Sequence, residues 1–423
     1  MGSRAAALLL LLVGMFVISC DQKAAPKDQH DPSPQDFMSS DLKPPASITR
    51  KLFAEWRSPR RGVSQAERMD NPVWQWMLDG EIGTFSATEH FKLGSALDLG
   101  PGWCSQRYGQ SETLLPDGRV VLIAGEHEDY YDPDFFIYND VIVINTDGSV
   151  HFYSYPKEEF PPTDFHSATL LNDEILLIGN LGYSDARRPG STLIQKLNLE
   201  NFYIEQIETS GEGPGWISRH EATLDPSGNK IVIIGGDISG EDGSLLENID
   251  DWSLDLSTWQ WARLTKRNWT RVEFAREDGG YIDLFEMRSA QEMKDSLGDN
   301  GLRKMEEDTK ALLAEHGIED EELLEALSES KRTESIFTPP NDPVLLASLY
   351  CPPLKFEDYS KEDEYDVFRI SVSDVAVRYH EKGDYLVMTI EGELSQEVVG
   401  TLTEDLKTKL SKLLETEIKT RVH

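Results

Sequence analysis

His166-Ser167-Ala168-Thr169-Leu170-Leu171-Asn172-Asp173-Glu174-Ile175-Leu176-Leu177-Ile178-Gly179 is the stretch that decides the fold of this chain. It reads as a strand, an Asn-Asp turn, and a second apolar strand that stops at a glycine. Short apolar runs joined by residues that accept turn geometry are the hairpin signal. The phrase has two relatives. Gln110-Ser111-Glu112-Thr113 leads through Pro116-Asp117-Gly118 to Leu122-Ile123-Ala124-Gly125, and His220-Glu221-Ala222-Thr223 leads through Pro226-Ser227-Gly228-Asn229 to Ile233-Ile234-Gly235-Gly236. Thr113, Thr169 and Thr223 stand 56 and 54 positions apart. A fixed period in that range marks an array of like units.

Working outward, each glycine is followed by a variable loop and a third strand, at Asn139 to Ile144, Thr192 to Leu199 and Asp251 to Leu256. A fourth, aromatic-bearing strand follows at Val150-His151-Phe152-Tyr153 and at Thr258-Trp259-Gln260-Trp261. Four antiparallel strands per repeat is the plan of a propeller blade. From about Trp103 to Thr265 the order His-Ser-x-Thr, turn, apolar strand ending Gly-Gly, Asn-Asp-Val-like third strand and aromatic fourth strand resembles the Kelch repeat. The resemblance implies a mainly β chain built on a Kelch-type, galactose oxidase-like β-propeller with three recognisable blades. Three blades do not close a ring, so the propeller is incomplete or is completed by degenerate blades. Trp74 to Phe91 and Trp269 to Met287 are the candidate donors. Gly-Gly is complete only at Gly235-Gly236; Ala124 in place of the first glycine predicts a less strained backbone there.

Around this body the sequence divides further. Residues 1–20 read as a leader: Arg4 precedes an apolar run from Ala5 to Val17, too short for a comfortable permanent span. The run ends Val17-Ile18-Ser19-Cys20, which resembles the bacterial lipobox and implies lipidation, palmitate included, at Cys20. Two or more acyl chains anchor stably where one is marginal. The expected location is thus the membrane surface of a bacterial cell envelope, facing the periplasm, with Asp21 favouring the inner membrane. Residues 21–48 carry almost no large apolar side chains and read as a flexible tether. Residues 49–102 read as a helical or irregular segment docked on the propeller, with Asn71-Pro72 opening a helix; its Trp74-Gln75-Trp76-Met77 cluster is either buried by that docking or a partner site. The propeller is expected over 103–287, an acidic helical insertion over 288–335, and a ββα module over 336–423. In the last, strands run Tyr365 to Tyr379 and Tyr385 to Glu391, and a helix runs from about Ser395 to Thr416.

The net charge of −35, from 76 acidic and 41 basic residues, excludes nucleic acid as a natural partner, since phosphate binding relies on clustered Lys and Arg. Anionic headgroups are repelled too. The expected partner is a protein or a small ligand at the envelope, held by a scaffold. The alternative is an enzyme acting on a small sugar-like substrate at the propeller mouth, of epimerase or oxidase type.

Candidate binding groups concentrate in Glu126-His127-Glu128-Asp129-Tyr130-Tyr131-Asp132-Pro133-Asp134. This stretch reads as a loop with three open roles: a calcium site, a solvated acidic loop, or a metal-free binding loop. His166 and His220 recur at matching positions, with Arg107 and Arg219 nearby. Repetition favours structural hydrogen bonding between blades over catalysis. Galactose oxidase chemistry would require paired copper-binding histidines and a Tyr cross-linked to Cys; Cys104 lies near Tyr108, but no paired-His motif is present. Beyond Cys20, Cys104 and Cys351 are either a disulfide or two buried thiols. No nucleophile elbow, Walker loop, His-Glu-x-x-His or Cys-x-x-Cys occurs.

Overall fold

The computed structural model describes residues 43–94, 99–129, 132–241, 243–315, 339–361 and 367–423. The leader with Cys20, and the tether as far as residue 42, lie outside the described residues. The chain is mainly β and divides into two compact units, Lys27–Arg267 and Asn268–His423.

In the first unit, β1 (Glu67–Arg68) precedes three antiparallel meanders. The first comprises β2 (Ser111–Leu114), β3 (Val120–Ile123), β6 (Asp140–Ile144) and β7 (Val150–Ser154); between β3 and β6 lies a separate hairpin of β4 (Glu126–Asp129) and β5 (Asp132–Ile137). The second comprises β8 (Ser167–Leu171), β9 (Glu174–Ile178), β10 (Ile194–Asn198) and β11 (Ile204–Gln206). The third is preceded by β12 (Ser210–Gly211) and β13 (Ile217–Ser218). It comprises β14 (Glu221–Leu224), β15 (Lys230–Ile234), β18 (Trp252–Asp255) and β19 (Gln260–Arg263), with β16 (Asp237–Ser239) and β17 (Leu245–Glu247) inserted as a hairpin beside β13. Strand β2 lies beside β8, and β8 beside β14. Among the described residues the sheets close neither a barrel nor a complete ring.

Period-two alternation explains why β9 is apolar from Ile175 to Ile178. Ile175 and Leu177 of β9 face the first sheet, packing with Val121, Ile123, Val141 and Val143. Leu176 and Ile178, one residue out of phase, join Ile231, Ile233, Trp252 and Leu254 of the third sheet. A strand buried on both faces has no position for a polar side chain. Each fully buried Ile or Leu contributes about 1.5–3 kcal/mol.

The other face of the first sheet is covered by α1 (Arg50–Trp56), α2 (Pro72–Asp79) and α3 (Thr84–Phe91). Asn71 caps α2 by accepting from the Val73 and Trp74 N–H groups, with Pro72 in its first turn. Trp74 stacks on Trp103 at 5.1 Å and meets Phe152 edge-on. The Trp74–Phe91 segment is therefore helical and supplies no extra blade. Ile48, read as tether, is buried in the same core.

Outer sheet edges are covered individually. Strand β1 pairs with β7, and β12 pairs in parallel with β19. On β11 the Gln65 amide donates to the Ile204 carbonyl at 2.7 Å and accepts its N–H at 3.1 Å.

The second unit begins earlier than residue 288. Strand β20 (Thr270–Arg276) lies inside a six-stranded antiparallel sheet with β21 (Glu357–Lys361), β22 (Val367–Val372), β23 (Val375–Glu381), β24 (Tyr385–Ile390) and β25 (Ile418–Val422), in the order β21-β22-β23-β24-β20-β25. Trp269 to Met287 thus forms no blade, and the boundary read at 287 falls at 267. The stretch read as one strand from Tyr365 to Tyr379 holds two, β22 and β23, because Ser373 and Asp374 form a two-residue turn with φ of 52° and 63°. Helix α4 (Leu284–Glu315) is broken at Gly298 and buries Leu284 and Met287 against this sheet. It belongs to the second unit; residues 316–338 lie outside the described residues. After α5 (Pro343–Ala347), helix α6 (Gln396–Leu413) is capped by Ser395 and buries Leu402, Leu406, Leu410 and Leu413, a helical spacing. The expected ββα module is a larger sheet with helices packed on it.

Candidate functional site

The first strands of the three meanders begin from one repeated backbone device. Gly109, Phe165 and Arg219, each two residues before its strand or directly beside its histidine, all adopt left-handed φ, of 60°, 48° and 56°. They are bonded in series: Phe165 N–H donates to the Gly109 carbonyl at 2.9 Å, and Arg219 N–H donates to the Phe165 carbonyl at 2.8 Å. For non-glycine residues this conformation costs about 1–2 kcal/mol. Such strain clusters at ligand clamps and active sites.

Side chains repeat the same step. His166 Nε2 lies 2.8 Å from Ser111 Oγ, and His220 Nε2 lies 2.8 Å from Ser167 Oγ. Each histidine thus joins its own sheet to the preceding one. Both Nδ1 atoms are buried with no hydrogen-bond partner. A bare lone pair there is cheaper than an unmet N–H, so the proton sits on Nε2 and is donated to serine. Burial pushes the His166 pKa down to about 3, aided by the charge of His220, and that of His220 down to about 4.

Glycines make room for this contact. A Cβ on Gly179, φ 80°, would lie 2.3 Å from the Ile217 carbonyl oxygen and 2.8 Å from His220 Cε1. The matching Ala124 was expected to relax its backbone, yet its φ is 54°. Its carbonyl is held by Arg107 Nη1 at 3.0 Å and Gln110 Nε2 at 3.2 Å, which offset the strain. Arg107 itself is fully buried, forked onto Asp140 at 2.5 and 2.9 Å and lying 3.4 Å from the Tyr138 ring centroid. It braces the first sheet and is closed to ligands.

A polar cluster that reaches the surface through Arg187 and Arg219 lies where the second strands end and the first strands begin. Asp164 is buried; its Oδ1 accepts from the Gly182 N–H at 2.6 Å, and its Oδ2 has no hydrogen-bond partner by distance and angle. Gly125 N–H donates to the Thr163 carbonyl at 2.8 Å, which brings the neighbouring Glu126 side chain alongside Asp164. Burial raises the Asp164 pKa; the Gly182 N–H, Glu126, Arg219 and Arg187 oppose that rise. Arg187 donates through Nε to the Leu181 carbonyl at 3.0 Å and through Nη2 to the Gly182 carbonyl at 3.4 Å. Burial lowers its pKa, the Asp164 charge raises it, and Arg219 lowers it further. Arg219 lies 4.2 Å from the Phe165 ring centroid and reaches Asp237 at 3.5 Å. Sequence reading missed Asp164, Arg187 and Asp237. Asp164 and Arg187 stand outside the repeated phrase, and only the matching positions of Phe165 and Arg219 hint that this rim is special.

The acidic stretch 126–134 is a hairpin in its backbone, with Glu126 opposite Ile137, His127 opposite Phe136 and Asp129 opposite Asp132. His127 is buried and Glu126 half-buried. Tyr130 and Tyr131 lie outside the described residues, as do the side chains of Glu128, Asp129, Asp132 and Asp134. No group of three or more His, Cys, Asp or Glu among the described residues is placed to hold a metal ion. Cys104 and Cys351 carry thiols rather than a disulfide; Cys104 is buried and Cys351 half-buried. Cys104 is fixed from both sides, its N–H donating to Tyr138 Oη and its carbonyl accepting from Arg107. No helix among the described residues is long and apolar enough to cross a membrane.

No family model matches the chain, and no curated protein matches it. A solved structure described as "Structure of YjhT" is similar at 13% identity, with a TM-score of 0.28, over 38% of this chain and 52% of that one. The chain thus spans about half the length of that structure.

Proposed function

We propose that residues 103–267 are three blades of a Kelch-type β-propeller, and that the protein is a lipid-anchored scaffold of a bacterial envelope binding a ligand or partner at the rim holding Asp164, Arg187 and Arg219. The observation that carries this reading is the serial link from Gly109 to Phe165 to Arg219, matched by the Ser111–His166 and Ser167–His220 bonds. Repeated units joined head to tail through equivalent atoms are what blades around a shared axis require. A rigid sheet array also suits a scaffold, because it holds rim side chains without a moving part. Attachment follows from Cys20 behind its apolar run.

Two experiments test this. Expression in a bacterial host with an alkynyl fatty acid should label the wild-type chain and not Cys20→Ala. Cross-linking in that host should capture an envelope protein, or a glycan panel should yield a ligand, whose binding falls with Asp164→Asn. Labelling that persists in Cys20→Ala removes the anchor, and binding indifferent to Asp164 removes the rim.

One observation favours an enzyme as the second reading: the buried Asp164 carboxyl, with its raised pKa, sits beside Glu126. A perturbed acid among convergent polar groups suits proton transfer. Turnover of a sugar panel that disappears in Asp164→Asn would select this reading over the scaffold.

A further inference from the structure

We propose that Arg187 and Arg219 form a paired-guanidinium subsite that takes the oxyanion group, carboxylate or phosphate, of a small ligand. This rests on the reading of that rim as the ligand-binding surface.

Both side chains are anchored on the same backbone. Arg187 is tied to the Leu181 and Gly182 carbonyls, while Leu181 N–H donates to the Asp164 carbonyl at 3.0 Å and Gly182 N–H to the Asp164 carboxylate. Arg219 lies against the ring of Phe165, the residue after Asp164, and its own N–H donates to the Phe165 carbonyl. Both heads are thus anchored on residues next to Asp164, near enough for each to act on its charge and for Arg219 to act on Arg187. A guanidinium carries five donors in a fixed fork. Arg187 uses two of them, both on carbonyls, and Arg219 uses one, in a 3.5 Å contact with Asp237 that is long for a hydrogen bond.

The buried Asp164 carboxylate does not close the fork. Asp164 spends Oδ1 on Gly182 and is buried, so it lowers the cost of holding two cations together without occupying their outward donors. Arg219 keeps 39% of its side-chain surface exposed and Arg187 is half-buried. Two guanidiniums that share one counter-charge and have donors to spare suit a planar or tetrahedral oxyanion. In a chain of net charge −35, anions are repelled from the surface at large, so such a site would be the exception that gives specificity.

The test is calorimetric titration of the full chain with inorganic phosphate and, separately, acetate at low ionic strength. Saturable one-to-one binding is expected with at least one of them. Arg187→Gln and Arg219→Gln should each weaken it about tenfold or more, the usual effect of losing a charge-assisted hydrogen bond. Arg188→Gln, at the exposed neighbour, should leave it unchanged. Binding by phosphate alone assigns a phosphorylated ligand, and by acetate alone a carboxylic acid. Arg187→Lys guards against misfolding, since it keeps the charge and loses the fork; circular dichroism of every variant must match the wild type. Absence of saturable heat with both anions, or binding unaffected by either glutamine, overturns the subsite. If a captured partner or glycan still depends on Asp164 while both arginines prove dispensable, the subsite falls and the rim reading stands.

Discussion

The histidines that join the sheets should make the first unit acid-sensitive in a way that two substitutions remove. In the folded state His166 titrates at about 3 and His220 at about 4, against an ordinary value of 6.5. The unfolded chain therefore binds protons at these two positions, as pH falls below 6.5, that the folded chain refuses. Stability is fully present above pH 6.5 and is lost as pH falls toward 4 and 3. Each histidine contributes a slope of about 1.4 kcal/mol per pH unit in that window. Between pH 7.5 and 4.5 the pair should cost about 5 kcal/mol, comparable with the whole stability of a small domain. Carboxylates also titrate near the lower limit, so the informative quantity is a difference. Gln supplies an amide N–H where Nε2 donates, so His166→Gln with His220→Gln keeps a donor toward Ser111 and Ser167 while removing the titration. Urea unfolding followed by tryptophan fluorescence suits the measurement, because eight of the nine tryptophans precede residue 268. The wild type should be the more stable at pH 7.5 and lose that advantage by pH 4.5. Parallel pH profiles for the two proteins would refute the argument, since they would mean that the imidazoles titrate normally and are not sealed between the sheets.

Three further outcomes are expected. Gly179→Ala should destabilise by about 3 kcal/mol or more in urea unfolding, since its Cβ meets the Ile217 carbonyl; Gly148→Ala, at φ 82° with no atom within 4 Å, should cost only about 1–2 kcal/mol. Trp74→Ala should cost about 3–5 kcal/mol and expose α2 to hydrogen exchange, because it empties the stack on Trp103. Arg107→Met should cost about 3–5 kcal/mol by leaving Asp140 unpaired in the interior, and adding Asp140→Leu should recover part of that loss in the same assay.

The sequence was most legible where one physical cause dominates. β9 and β15 have the limits read from their apolar runs, Glu174–Ile178 and Lys230–Ile234, because each run lies between a turn and the glycine at which the strand stops. The Ser373-Asp374 turn was missed because it has no glycine, although both residues take the left-handed conformation. Strands β1, β12 and β25 carry little apolar pattern, being edge strands whose partners are distant in sequence. The same holds at the rim. Arg219 stood out by its place in the repeat, whereas Asp164 and Arg187 meet through a loop after β9 whose path no spacing rule predicts.

The covers on the outer sheet edges have one property that matters during synthesis. Gln65 and β1 precede β11 and β7, and β12 precedes β19. As the chain leaves the ribosome, the group that will shield each peripheral strand has already emerged when that strand appears. An exposed strand edge is a template for association with other chains. For these three sheets no later segment is needed to shield the outer edge, while a truncation beginning at Met69 would leave two of the three margins bare and prone to aggregate.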